Sequence, residues 1–311
     1  MNTHVMSPHT RVKLAIVDGC NLSCSHCYMG EMKETQNSAP NVKRRIDEAA
    51  ELGVRILDFT GGEPTQHKDI VELIDYAGSK HFSVLNLSTN GMALAKRELF
   101  EAVHRNHVTC NISMDGATEQ TVDRIRGKNV FRRLEEVLSR LDAHKIRFSL
   151  RFSINKVNMR EIGAIIDYGE RWGAKIDMEP TQKIGNAIEN QLILDATEKA
   201  DVAQEIAARK PHATIEIEES FTDQIPCDGG MSDLLTVNAD DQAVSCLMIS
   251  RSYAIPVPEQ RVSLSQQWSK IQGLKTKMRD FKPVFPACKT CEYLHICETG
   301  CHVTAHAKGC I

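Results

Sequence analysis

Hydrophobic and polar positions along this chain follow a two-part rhythm. Short runs in which apolar residues dominate or alternate recur at residues 12–17, 55–60, 82–87, 108–113, 147–154 and 174–179, each of strand length. Between them the apolar spacing lengthens to that of a helix. Residues 41–52 show it plainly, with apolar positions at Val42, Ile46, Ala49, Ala50 and Leu52 and a stop at Gly53. Similar stretches cover residues 70–77, about 95–106, 130–144 and 159–172. Six strands alternating with connecting segments predict an α/β fold, a parallel sheet with right-handed crossovers. A barrel and an open doubly wound sheet share this pattern. Further on, residues 196–209 read as a helix and 215–218 alternate like a half-exposed strand. The domain boundary is expected at about 219–226, dividing 1–219 from 220–311.

The chemistry-bearing residues cluster where these strands end, the face on which α/β barrels build their sites. After the first strand, VDGCNLSCSHCYMG carries Cys20, Cys24 and Cys27 in a C-x3-C-x2-C spacing closed by Tyr28. Three thiolates on one short loop suit a soft metal or an iron–sulfur cluster. Three rather than four leave one metal position open, whereas a closed zinc site would borrow a ligand such as His26. The next strands run into Gly61-Gly62-Glu63-Pro64, Ser88-Thr89-Asn90-Gly91 and Ser113-Met114-Asp115-Gly116. Paired glycines admit a close backbone approach to a ligand, or simply turn the chain.

Composition narrows the functional classes. The 311 residues carry 38 Lys plus Arg against 41 Asp plus Glu, so no general attraction to nucleic acid or anionic membrane is expected. No apolar run approaches bilayer length, and MNTHVMSPHT lacks the regions of a signal peptide; both lead to an expected cytoplasmic location. Eleven cysteines, an odd number, point to metal or redox sites rather than disulfides.

Cys-x3-Cys-x2-Cys-aromatic after a first strand, followed by a strand ending in GGEP, resembles the radical S-adenosylmethionine (SAM) superfamily. The resemblance implies a partial (βα)6 barrel in which Cys20, Cys24 and Cys27 hold a [4Fe–4S] cluster whose fourth iron chelates SAM. Reduction cleaves SAM to methionine and a 5′-deoxyadenosyl radical, which abstracts a substrate hydrogen. It further implies that Gly61 and Gly62 contact the SAM amino group with Glu63 beside them and Tyr28 closing the loop. Asn90, Ser113 and Asp115 fall where the family binds the SAM ribose and carboxylate, and Arg151 is a candidate partner for the carboxylate. Cys110 reads as a buried apolar cysteine, with a hydrogen-atom donor as the alternative.

Seven cysteines crowd the C-terminal region: Cys227, Cys246, Cys288, Cys291, Cys297, Cys301 and Cys310. Their array resembles the SPASM extension of radical SAM enzymes, which binds two auxiliary [4Fe–4S] clusters. By that pattern Cys288, Cys291, Cys297 and Cys310 ligate one cluster, and Cys227, Cys246 and Cys301 the other. That leaves an inner iron for substrate or for a carboxylate such as Asp228. Residues 234–244 read as a hairpin carrying Cys246, with Asp241 where the family usually has glycine; aspartate tolerates the left-handed turn conformation. A zinc module using His295, His302 and His306 is the alternative.

The resemblance implies a radical SAM oxidoreductase or maturase fed by an electron donor such as flavodoxin or ferredoxin. Oxidative peptide modification (thioether or C–C crosslinking, epimerisation or side-chain oxidation) ranks first. Oxidation or decarboxylation of a sugar-like or aminocyclitol intermediate comes second, and a non-enzymatic zinc-binding protein third. About ten residues precede the first strand, too few for an N-terminal leader-binding domain, which tempers the peptide reading.

Overall fold

The computed structural model describes residues 11–30, 32–219, 221, 234–244, 247, 263–266 and 268–269. The first six strands are β1 (Arg11–Val17), β2 (Ile56–Gly61), β3 (Val84–Thr89), β4 (Thr109–Ser113), β5 (Phe148–Ile154) and β6 (Lys175–Pro180). Helices α1 (Ala39–Glu51), α2 (Ile70–Gly78) and α3 (Arg97–Arg105) fill the first three connections. The fourth holds two helices, α4 (Glu119–Arg126) and α5 (Val130–Ala143), and the fifth holds α6 (Ile162–Trp172). A short α7 (Asn186–Glu189) and a longer α8 (Ala196–Arg209) lead to β7 (Ile217–Glu219), and a hairpin of β8 (Leu234–Val237) and β9 (Ala243–Val244) follows.

The sheet order is β7–β6–β5–β4–β3–β2–β1–β8–β9, with every pair parallel except β8–β9. Thus the predicted parallel α/β sheet is present, and the strand expected near 215–218 joins it as β7, Ile176 opposite Ile217. The expected hairpin forms with Thr236 opposite Val244, but it also extends the main sheet, since Arg11 pairs with Leu234. Helix α4 was not foreseen. Its signals are modest: Thr118 accepts from the Thr121 amide, Val122 and Ile125 are buried, and Gly127 ends it at φ 116°.

Period-two alternation sorts the strand residues onto two faces. Leu57, Phe59, Leu87, Cys110, Ile112, Leu150, Ile176 and Met178 belong to the apolar core, all fully buried. Their neighbours in sequence are polar and pair across the strands: Asn86 bonds Asp58, Arg11 lies 3.3 Å from Asp58, and Ser149 donates to Asn111 at 2.8 Å. In a closed barrel of this class, bulky branched side chains pack the interior. Here that face is lined with hydrogen-bonding groups.

Helix α1 fastens the hairpin to the sheet. Arg45, fully buried, donates through Nε to Asp241 Oδ1 at 2.7 Å and through a terminal nitrogen to the Asp241 carbonyl at 2.8 Å. Arg44 reaches the other oxygen of the same carboxylate, and Glu48 accepts from Arg45 at 3.0 Å and from the Leu264 amide at 2.8 Å. Asp241 adopts φ 64°, the left-handed conformation a glycine would otherwise supply. An aspartate therefore gives the turn its shape and the buried arginine its counter-charge.

Candidate functional site

Six strand ends meet at one cavity of about 280 Å³, lined by Cys20, Gly62, Asn90, Ser113, Ser153 and Thr181 among others. Loops after β1 to β6 converge on one point only if the sheet curves, so the cavity is the mouth of a partial barrel. Cys24, Cys27, Tyr28, Gly61, Glu63, Asp115 and Arg151 line the same cavity. Apart from Cys110, the barrel residues singled out from the sequence as site candidates are therefore brought together. Cys227, Cys246, Cys288, Cys291, Cys297, Cys301 and Cys310 lie outside the described residues.

The cysteine loop is stitched to the end of β2. Gly62 donates to the Val17 carbonyl at 2.7 Å and Glu63 to that of Gly19 at 2.9 Å. A Cβ on Gly61 would lie 2.1 Å from the Val17 carbonyl oxygen, and one on Gly62 would lie 2.3 Å from that of Gly19. The close approach these glycines permit is first of all to the chain itself. Glu63, 1% exposed, accepts four bonds: from the Thr65 amide and hydroxyl at 3.1 and 2.6 Å, the Thr89 hydroxyl at 2.6 Å and the Asn90 amide at 2.7 Å. It ties the GGEP and STNG turns together, and burial raises its pKa against the pull of those donors. Asn90 continues the stitching, donating through Nδ2 to Asn21 at 2.8 Å and standing 3.7 Å from Cys20 Sγ.

Beneath the loop lies a buried charge hub. Asp115, 1% exposed and at φ 64°, accepts from the Ser153 amide at 2.7 Å and pairs with Arg126 at 2.5 Å and His26 Nε2 at 3.2 Å. Arg126, at the end of α4, is the functional candidate that the sequence did not reveal. Its guanidinium is 7% exposed, lines the cavity and keeps an Nε without a hydrogen-bond partner. Burial pushes the Cys24 thiol up to about 11, with the Arg126 charge as the main opposing effect, and also raises Cys20. Burial lowers the pKa of His26, and that ring is turned to Asp115.

Around the rim, Arg151 stands 3.4 Å from Asp177, whose pKa burial raises, and pairs in register with Ser113. Cys110 is buried in the apolar core, where desolvation raises its thiol to about 12. Its side chain lies on the face of β4 opposite to Ser113, which lines the cavity, so the hydrogen-donor alternative is set aside. His67, 1% exposed, donates through Nε2 to the Asn37 carbonyl at 2.7 Å and accepts from the Asp69 amide at 3.1 Å, an arrangement of the neutral ring. Burial lowers its pKa, so the unfolded chain binds more protons and stability rises with pH across that window. The contribution is complete above about pH 6.5 and is lost as pH falls below it. Urea titrations at pH 7 and 5 are expected to show a larger loss of stability for wild type than for His67→Gln.

The sequence of residues 14–169 matches the family model of the radical SAM superfamily, half of the chain. The chain belongs to the radical SAM superfamily. The Fe-coproporphyrin III synthase of Methanosarcina barkeri is 38% identical over 153 residues, 48% of this chain and 38% of that protein. The chain thus spans well under half the length of that relative. A match to the PqqA peptide cyclase of Gluconobacter oxydans runs over 97% of this chain and 87% of that protein at 26% identity. SuiB of Streptococcus suis, solved with S-adenosylmethionine, superposes with a TM-score of 0.78 at 15% identity, covering 98% of this chain and 76% of that one.

Membership of this superfamily implies a [4Fe–4S] cluster and SAM, and the donor set fits them. Three soft sulfur donors line one cavity, and a buried cation, Arg126, sits beside Cys24, suited to an anionic group. Among the described residues no three of His, Cys, Asp and Glu converge on a point for a single ion, and His26 is committed to Asp115. Also among the described residues, no helix is long and apolar enough to cross a membrane.

Proposed function

We propose that this chain is a radical SAM enzyme that oxidatively modifies a peptide. What carries the reading is the meeting of three thiols and six strand ends at one cavity. Cys20, Cys24 and Cys27 would hold a [4Fe–4S] cluster, with SAM in the space bounded by Gly61, Gly62, Asn90, Ser113 and Arg151. When bound, the pair supplies reductive cleavage of SAM and a 5′-deoxyadenosyl radical that takes hydrogen from the substrate. The chain's own residues bind and orient: Glu63 fixes two of the cavity turns, Asp115 holds Arg126 under the cysteine loop, and the polar inner face solvates a hydrophilic substrate. Residues 220–311, with Cys227, Cys246, Cys288, Cys291, Cys297, Cys301 and Cys310, would form a SPASM extension holding two auxiliary clusters. An electron donor of the flavodoxin or ferredoxin type and a cytoplasmic location complete the proposal.

A peptide is preferred because the relative aligned over nearly the whole chain is named for cyclising one. SuiB has also been solved with a precursor peptide, SuiA. A small-molecule substrate is the second reading, supported by the higher identity to a coproporphyrin synthase over the barrel half. Iron and acid-labile sulfide in the anaerobically reconstituted chain test the metal content. Three clusters predict about twelve irons per chain; about four with stoichiometric zinc would leave a radical SAM barrel without auxiliary clusters. No iron at all would end the enzyme reading.

A further inference from the structure

The cysteine loop is held from the far end of the barrel as well as from β2. Gly185 and Asn186, at the start of α7, lie about 160 residues along the chain and press against it. The Asn186 amide donates to the Cys27 carbonyl at 3.0 Å, and its Nδ2 donates to the Cys24 carbonyl at 3.1 Å. One residue therefore spans both ends of the Cys24–Cys27 turn. One helical turn on, Asn190 Nδ2 donates to the Ser25 carbonyl at 2.9 Å. Gly185 makes the approach possible: at φ 56° and ψ −145° it holds a conformation that L side chains avoid, and a Cβ there would lie 2.4 Å from the Cys27 carbonyl oxygen. Gly30 meets it back to back, its own Cβ position 3.7 Å from the Gly185 Cα.

We infer that Gly185, Asn186 and Asn190 form a clamp that sets the position of the cysteine loop, with Asn186 as its main positioning residue. The inference rests on the reading of Cys20, Cys24 and Cys27 as cluster ligands. Short loops that carry three ligands need external support, because outer partners fix where first ligands point. Three carbonyls of this loop find donors on Asn186 and Asn190, at the two ends of α7, so the loop is preorganised before any cluster arrives. The same segment has a second contact with the site: Pro180, Thr181 and Gln182, just ahead of the clamp, line the cavity. Whatever displaces that stretch of chain is felt at the loop.

Two measurements on full-length protein test the clamp. In iron-free protein, alkylation of Cys24 and Cys27 by iodoacetamide, resolved by peptide mass spectrometry, reads loop position with no cluster present. In reconstituted protein, the rate of iron loss to EDTA reads how firmly the loop holds its cargo. Asn186→Ala is expected to speed both about tenfold, the effect of losing the Nδ2 hydrogen bond while the Cys27 amide stays on the Cys24 carbonyl. Asn186→Asp, nearly the same size but placing an acceptor against the Cys24 carbonyl, is expected to speed them more. Asn106→Ala serves as the control, since it removes an amide bonded to Asp75 at 2.6 Å and Ala102 at 2.9 Å, on residues that do not line the cavity. Rates for Asn186→Ala and Asn186→Asp equal to those of Asn106→Ala would overturn the clamp. If wild type takes up no iron, the cluster reading fails, and alkylation still decides the clamp.

Discussion

Asp115→Asn is expected to cost the protein about 3–5 kcal/mol of stability and to lower its melting temperature by roughly 10 °C. The substitution keeps the side-chain shape and, because asparagine accepts the left-handed backbone, leaves the φ 64° turn unstrained. What it removes is charge. Arg126, 7% exposed, then lies under the cysteine loop without its counter-ion, and His26 loses its ring partner. Asp115→Ala is expected to cost more, since alanine also pays for the left-handed conformation. The double variant Asp115→Asn/Arg126→Met is expected to recover about half of the loss, because a buried pair removed together leaves no orphan charge. Thermal unfolding followed by circular dichroism checks all of these variants. Strictly additive costs would show that the pair is not coupled.

Breaking the latch between α1 and the hairpin is expected to have the second large effect. Arg45→Met should cost about 3 kcal/mol by leaving the Asp241 carboxylate, 5% exposed, with Arg44 as its remaining guanidinium partner in the latch. Asp241→Gly should cost a similar amount, although glycine suits φ 64° at least as well as aspartate. Turn propensity and charge pairing therefore make opposite forecasts for this variant, and urea unfolding separates them. A neutral or stabilising Asp241→Gly would mean that backbone shape alone dictates the position. Combining it with Arg45→Met should restore most of the stability, since no buried guanidinium is then left without its carboxylate.

The parts of this molecule that were legible in advance are those encoded locally. The apolar-rich runs that hold Leu57, Phe59, Leu87 and Ile112 mark strands, and the turn residues after each strand mark one functional edge. The parts not legible depend on which distant partner a buried polar group meets. Nothing near Asp115 in sequence announces that Arg126, eleven positions on, will turn back beneath Cys24, because α4 carries few apolar residues. Asn186 reads as a turn residue, and only the fold reveals that its two donors face carbonyls near Cys24. The strand neighbours of β1 pose the same problem: residues 234–237 read as half of a hairpin, and their pairing with Arg11–Leu14 is a tertiary choice. The two glycines of GGEP stand between these cases. Their need for close approach was foreseen, while the carbonyls of Val17 and Gly19 as its object were not.

On the proposed function, this cavity brings SAM to a cluster held by Cys20, Cys24 and Cys27. The most direct test is to incubate the anaerobically reconstituted chain with SAM and dithionite and to quantify 5′-deoxyadenosine and methionine. Equal formation of both by wild type, and neither above background in the Cys20→Ala/Cys24→Ala/Cys27→Ala variant, is the predicted result. Iron-loaded wild type that leaves SAM intact, or a triple variant that cleaves it as well, would contradict the account.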